Sequence, residues 1–404
     1  MDNLKPSDRV GRISPSPSAM ASQRARELRA EGHNVLALSS GEPDFQTPAH
    51  IIEAAHKAML DGQTKYTTIS GTAELKSAIR EKFLSQNGLS YDLDEIIVSA
   101  GAKQVIFNAV MAGVQKGDEV IVPAPYWIAY EQIVQLANGS TKIVHCGSDT
   151  GFKISAEALE EAITPNTRWL LMNSPSNPSG AVYTTGDLES LAEVLRAHPQ
   201  VWILTDDIYE HIVFDGRKAA TIAAVAPDLK ERTLTVNGVS KTYAMTGFRI
   251  GYAGGPKELI SQMLKMQMQS TSGASSIGQA AAVAALTGPQ DFVEMCRNAY
   301  QDRRDLIVSM LNQTTGISCR SPEGAFYAFS DCSGLIGMTT PQGKRIENDR
   351  DLVMHFMDDH GVALVHGGAY GFANHFRVSF ATSMKDLEEA GRRIQNAANA
   401  LRKS

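Results

Sequence analysis

From about residue 70 to residue 285, short apolar runs rich in β-branched residues alternate with longer amphipathic stretches. The runs are Glu95-Ile-Ile-Val-Ser, Glu119-Val-Ile-Val, Lys142-Ile-Val-His, Arg168-Trp-Leu-Leu-Met, Val201-Trp-Ile-Leu-Thr, Thr233-Leu-Thr-Val and Phe248-Arg-Ile-Gly-Tyr. Between them lie stretches with helical spacing, such as Asp187-Leu-Glu-Ser-Leu-Ala-Glu-Val-Leu-Arg. Strands that are apolar on both faces and joined by helices predict an α/β fold, a mostly parallel seven-stranded sheet between helices. Such a sheet gathers its ligands at the carboxyl ends of its strands.

The pattern changes after residue 290. Phe292, Met295, Ala299, Leu306 and Met310 mark one face of a long helix running toward Asn312. Short strand-like pieces follow at Gly324-Ala-Phe-Tyr-Ala-Phe and Phe376-Arg-Val-Ser-Phe, with helices between and after them. A chain of 404 residues is long enough for two domains. The expected division is an N-terminal arm and part of a small domain over residues 1–47, a large domain over 48–290, and a linking helix with a smaller α+β domain over 291–404. The arm, rich in Ser and Pro at its start, is expected to cross to the small domain or to a partner subunit.

Composition narrows the function classes. Hydrophobic residues make up 43%, enough for a sizeable core, and the net charge of −6 comes without a basic run of the kind that nucleic acid requires. Cys146, Cys296, Cys319 and Cys332 have no metal-ligand or disulfide-framework spacing, which suits a reducing compartment. No apolar run is long enough to span a membrane or to act as a secretory h-region, so a cytoplasmic protein is expected. No G-x-G-x-x-G follows a first strand, which disfavours a dinucleotide.

Four strand ends carry polar residues that a buried sheet does not otherwise favour. Val98-Ser-Ala-Gly-Ala-Lys-Gln places Gly101, Ala102 and Lys103 at a strand-to-helix turn, where backbone N–H groups bind an anion, typically phosphate. Leu204-Thr-Asp206-Asp207-Ile-Tyr209-Glu ends an apolar strand on two acids, and a buried carboxylate needs a partner such as a cationic ring nitrogen. Ser240-Lys241, beyond Thr235-Val-Asn-Gly-Val, sets an amine where burial lowers its pKa and frees it as a nucleophile, and Arg249 follows as a planar phosphate fork. Asn173-Ser-Pro-Ser-Asn177-Pro-Ser-Gly180 is a rigid turn able to aim the Asn177 amide into a cleft. An ordinary turn, a loop-capping Asp, a solvated Lys and an Asn-Pro loop are the bland alternatives, one by one. Together the groups suit a phosphorylated aromatic aldehyde with a basic ring nitrogen.

At these residues the chain resembles the class I aminotransferases of pyridoxal phosphate (PLP) fold type I, and within them the bacterial aspartate aminotransferase subgroup Ib. Gly41-Glu-Pro-Asp-Phe, Lys65-Tyr-Thr, Gly101-Ala-Lys-Gln, Pro125-Tyr-Trp, the Asn173–Gly180 segment, Asp206-Asp-Ile-Tyr-Glu, Ser240-Lys-Thr-Tyr-Ala-Met-Thr-Gly-Phe-Arg, Gly324-Ala-Phe-Tyr and Phe376-Arg-Val-Ser carry the resemblance, in the family's order. The resemblance implies a Schiff base between Lys241 and pyridoxal 5'-phosphate, with the released amine shuttling a proton during ping-pong transamination. By the same likeness Asp206 pairs with the ring nitrogen, Asn177 and Tyr209 bind the phenolic oxygen, and Trp127 packs on the ring. Gly101, Ala102, Lys103, Ser240 and Arg249 hold the phosphate, joined by Tyr66 from a neighbouring subunit, which implies a homodimer with shared sites. Arg377 clamps the substrate carboxylate, with Gly41 close to it.

Substrate choice follows from finer likenesses. Lys103 is expected to meet the distal carboxylate of aspartate or glutamate. Ser14 stands where relatives that also use prephenate tend to carry Lys, and His366-Gly-Gly-Ala-Tyr stands where Pro-Gly is usual. Phe248 and Ser179 replace the common Trp and Thr. The alternatives are an aminotransferase for aromatic or other neutral amino acids and, further off, a PLP β-C–S lyase. No metal is expected.

Overall fold

The computed structural model describes residues 5–403. Residues 1–4 of the expected arm and Ser404 lie outside the described residues. A seven-stranded sheet is built from β1 (Ile96–Ser99), β2 (Glu119–Ala124), β3 (Ser140–His145), β4 (Thr167–Asn173), β5 (Trp202–Asp206), β6 (Thr233–Gly238) and β7 (Gly251–Gly254). Their spatial order is β1-β7-β6-β5-β4-β2-β3, and all pairs are parallel except those made by β7, which runs antiparallel to both neighbours. Alternate side chains feed opposite layers. Val120, Val122 and Leu171 join the core under helices Ala102–Gly113 and Lys257–Met268, whereas Ile121, Leu170 and Met172 join Leu188, Leu191 and Leu195 of helix Thr185–Ala197. The α/β reading of the sequence therefore describes this part of the chain.

The sheet's register explains the position of Arg249. Because β7 is antiparallel, its first residue, Gly251, pairs with Ser99 and Gly238, the last residues of β1 and β6. The residues just before β7 thus arrive at the edge where the parallel strands end. The sequence run Phe248-Arg-Ile-Gly-Tyr was expected to be strand throughout, but the strand begins only at Gly251. Thr246–Phe248 form a 3₁₀ turn and Arg249 has φ +56°, a left-handed residue that no strand accommodates.

A second, antiparallel sheet has the order β10-β11-β9-β8, from β8 (Ser318–Cys319), β9 (Tyr327–Asp331), β10 (Val365–His366) and β11 (His375–Ser379). Its core contains Phe326, Phe356, Phe376 and Leu387 together with Tyr300, Ile307 and Leu311 of helix Asp291–Asn312. The expected strand from Gly324 starts instead at Tyr327, since Ala325 sits at φ +56°. The long helix packs Phe292 and Leu306 of the expected face, half-buried, against this core. Its buried stripe is Cys296, Tyr300, Arg303, Arg304, Ile307 and Leu311, while Met295 is exposed. Buried Arg303 grips Asp44 through two hydrogen bonds of 2.7 and 2.9 Å, and Arg304 grips Asp215 in the same way. Helix Pro17–Ala30 packs Ala25 and Leu28 against Met357 and Ala363, and Leu36–Ala37 pairs with Val362–Ala363, so the N-terminal segment is built into the C-terminal part. No helix among the described residues is long and apolar enough to cross a membrane.

Candidate active site

A cavity of ≈ 300 Å³ opens at the carboxyl edge of the large sheet. At one wall, β1 ends at Ser99 and the chain turns through Gly101 into helix Ala102–Gly113. Gly101 has φ +94°, and a Cβ there would lie 2.5 Å from Nη2 of Arg249. The turn therefore brings the helix N-terminus and the guanidinium together, an arrangement suited to a phosphate. Arg249 is braced by the carbonyl of Thr246, which accepts from Nη1 at 2.9 Å.

Lys241 follows β6 by a short turn and is half-buried at the cavity. Its Nζ donates to the Gly41 carbonyl at 2.6 Å. Burial pushes its pKa down to about 8; Arg249 and Arg377 add to the shift, and Glu42 and Asp206 oppose it. Asp206 closes β5, held by register between Asn173 on β4 and Val236 on β6. Its Oδ2 accepts from the Tyr130 hydroxyl at 2.8 Å, and its Oδ1 is buried with no hydrogen-bond partner among the described residues. Burial raises the Asp206 pKa to about 6, with the Tyr130 hydrogen bond acting in the opposite sense.

The opposite wall comes from β9 and β11. Arg377 donates from Nη1 to Asn177 Oδ1 at 2.9 Å and from Nη2 to the Ser39 carbonyl at 2.6 Å. The guanidinium lies 4.4 Å from the Tyr327 ring centroid, and the Tyr327 hydroxyl is 2.7 Å from that of Tyr209. Burial raises the Tyr209 phenol well above its ordinary value, so it stays protonated. A Cβ at Gly41 would meet the Tyr327 hydroxyl at 2.9 Å. Trp127 lines the cavity and meets Tyr130 edge-on. Lys103 Nζ lies 5.0 Å from the Trp127 ring centroid, its pKa lowered by burial and by Arg249.

The structure thus gathers Gly41, Ala102, Lys103, Trp127, Asn177, Asp206, Tyr209, Ser240, Lys241, Arg249 and Arg377 around one cavity, with Gly101 directly behind Arg249. Tyr66 is not among them: it is 99% exposed on this chain. The cationic side chains Lys103, Lys241, Arg249 and Arg377 outnumber the single carboxylate of Asp206 among the lining residues, so the cavity attracts anions.

The family model for aminotransferase class I and II matches residues 33–394. The chain belongs to that family. Among its relatives is an aspartate aminotransferase of Rhizobium meliloti (strain 1021), 54% identical over 98% of this chain and 97% of that one. A probable aspartate/prephenate aminotransferase of Rhizobium leguminosarum bv. phaseoli is 52% identical over 98% of this chain and 99% of that one. The crystal structure of the aspartate aminotransferase from Rhizobium meliloti superposes with a TM-score of 0.96 at 53% identity, covering 99% of this chain and all of that one.

Sequence reasoning missed several residues of this aminotransferase's cavity. Tyr130, Tyr327, Ser16 and Ser18 all touch it or its charged groups. Tyr327 lay within a recognised motif without a role, whereas Tyr130 sits in an ordinary amphipathic helix and carries no signal of its own. Ser14 lies beside a second cavity of ≈ 530 Å³ that shares Lys103, Trp127 and Arg249 with the first and adds Phe107, Ile133 and Leu136. Its amide donates to Gln132 Oε1 at 2.7 Å. His366 begins the turn that carries Tyr370, whose ring centroid is 5.2 Å from the Arg377 guanidinium.

Proposed function

We propose that this aminotransferase works with pyridoxal 5'-phosphate and moves an amino group between a dicarboxylic L-amino acid, aspartate or glutamate, and a 2-oxo acid. The observation that carries the cofactor reading is Asp206 Oδ1, a buried carboxylate oxygen without a partner among the described residues, in a cavity that also holds the half-buried amine of Lys241 and an arginine at a helix N-terminus. A buried carboxylate of that kind is costly unless a cation meets it. A protonated pyridine nitrogen is such a cation, and Gly101, Ala102, Lys103, Ser240 and Arg249 would hold the phosphate. Bound there, the cofactor would supply an electron sink for charge developing at the substrate Cα.

Lys241 would be the attachment amine. Its pKa of about 8 leaves an appreciable neutral fraction near neutral pH, and once released it can take the proton from Cα and return it on the other side of the reaction. Asn177 and Tyr209 would orient the ring through its phenolic oxygen, and Trp127 would cover one ring face. Arg377, fixed by Asn177 and Ser39, would anchor the α-carboxylate, with Gly41 leaving room beside it. Lys103 would receive the distal carboxylate; this supports the dicarboxylic reading, as do the names of the relatives.

The division into residues 1–47, 48–290 and 291–404 belongs to the same proposal, since the two sheets have separate cores. So does a homodimer in which the partner's Tyr66 completes the phosphate site, and a cytoplasmic location.

A panel of amino donors tested against 2-oxoglutarate and oxaloacetate decides the substrate. Aspartate and glutamate should react fastest, and a much faster half-reaction with phenylalanine would overturn the dicarboxylic reading. The apolar lining of the ≈ 530 Å³ cavity beside Lys103 favours a second reading, in which a ring-bearing oxo acid is also accepted. Prephenate, named for the Rhizobium leguminosarum relative, is the acceptor to include. Turnover with oxaloacetate but none with prephenate would discard that second reading.

A further inference from the structure

Tyr130 is fully buried on helix Ala129–Leu136, between a charged group and an aromatic one. Its hydroxyl donates to Asp206 Oδ2 at 2.8 Å, and its ring meets Trp127 edge-on, with centroids 5.3 Å apart and planes at 88°. We propose that Tyr130 is a positioning residue that acts through Asp206, pinning Oδ2 so that the other oxygen, Oδ1, faces the ring nitrogen of the cofactor. The proposal deepens the function above and rests on its reading that Asp206 meets that nitrogen.

The Asp206 backbone is already fixed. β5 pairs on both sides at this residue, and its carbonyl accepts from Asn173 Nδ2 at 2.6 Å. The remaining freedom is rotation of the carboxylate; the Ile208 backbone also acts on this group, and the charge-assisted hydrogen bond from the buried phenol is the side-chain restraint on it. Burial and the adjacent Asp206 carboxylate hold the Tyr130 phenol well above its ordinary value, which favours the phenol as the donor. The same bond favours the ionised form of Asp206, which a ring-nitrogen cation needs as its partner. Through its ring, Tyr130 also braces Trp127, so one side chain sets both the carboxylate and the aromatic wall of the cavity.

Tyr130→Phe keeps the ring and deletes the donor. It is expected to weaken binding of pyridoxal phosphate to the cofactor-free protein by roughly 10- to 100-fold, the scale of one hydrogen bond to a charged group. It should also move the nitrogen-15 resonance of ring-labelled cofactor toward the unprotonated form, and lower kcat more than it changes KM for the amino donor. In an Asp206→Asn background the same substitution should add little, because the effect runs through the carboxylate. If Asp206→Asn alone leaves affinity and resonance unchanged, the cofactor placement itself fails. If Asp206→Asn moves both and Tyr130→Phe moves neither, the positioning role fails while the placement stands. Should a thermal melt show that Tyr130→Phe does not fold, a fluorinated tyrosine at position 130 keeps the ring and strengthens the donor. The resonance should then shift toward the protonated form, and an unchanged resonance would overturn the proposal.

Discussion

Asp206 and Lys241 carry opposite burdens from the same burial. The carboxyl is pushed up to about 6 and the amine down to about 8, so each is drawn toward its neutral form. For Asp206 this has a consequence for stability. The folded-state pKa lies above the ordinary aspartate value, so folding binds this proton more tightly than the unfolded chain does. The resulting stabilisation is fully present below the ordinary value and is lost as pH rises through about 6. Asp206→Asn is therefore expected to stabilise the cofactor-free protein by about 1–3 kcal/mol near neutral to mildly alkaline pH, and by little in acid. Urea unfolding at the two pH values measures it. The same variant should bind pyridoxal phosphate more weakly, so stability and function part company at one residue. A gain in stability that is the same at both pH values would show that the buried charge is not its source. Lys241, Asp206, Asn177 and Arg249 were legible in the sequence because polar chemistry at the ends of apolar runs is conspicuous, whereas Arg377, inside strand His375–Ser379, was legible only through the family resemblance. Tyr130 was not, because its importance lies in a contact with a residue 76 positions away.

At the scale of elements, the carboxyl edge depends on how closely helix Ala102–Gly113 approaches β7. A Cβ added at Gly251 would lie 2.1 Å from the Ala102 amide nitrogen and 2.3 Å from the Gly101 carbonyl carbon. Both are backbone atoms, so no side-chain rotation relieves the clash. Gly251→Ala is expected to cost about 1–3 kcal/mol of stability, in the range of overpacked sites, and to weaken cofactor binding by moving the helix N-terminus. Gly247→Ala is the control, since a Cβ there meets nothing within 4 Å. Thermal unfolding and a cofactor titration of both variants separate the outcomes, and equal behaviour of the two would mean that the edge tolerates the shift. The strands themselves were legible because period and composition agree along them. The errors fell where local pattern and tertiary contact disagree. Phe248-Arg-Ile reads as strand but is a turn that delivers Arg249. The long helix hides its buried face because two of its buried residues are arginines, whose partners Asp44 and Asp215 lie far away in sequence.

At the scale of the whole molecule, one chain carries every group of the proposed site except Tyr66. That residue is fully exposed, close in sequence to the exposed apolar side chains Ile52, Met59 and Leu60 of helix Ala49–Leu60. A large aromatic side chain left wholly in water suits a surface that another copy covers. If Tyr66 acts across a dimer, two defective chains can repair each other. A chain with Lys241→Ala has lost the attachment amine but still offers Tyr66. A chain with Tyr66→Phe keeps Lys241 but lacks the phenol for its neighbour. In the mixed dimer, one of the sites then combines an intact Lys241 with an intact Tyr66. Homodimers of Tyr66→Phe should bind pyridoxal phosphate roughly 10-fold more weakly, the lower scale for a hydrogen bond to a charged group. Homodimers of Lys241→Ala should be inactive and lack the absorbance of attached cofactor. After mixing and subunit exchange, a class of sites with the affinity of the unsubstituted protein should appear, and activity at limiting cofactor should exceed the weighted sum of the parents. If the mixture only averages them, Tyr66 serves its own chain or none, and the site is complete within a single subunit.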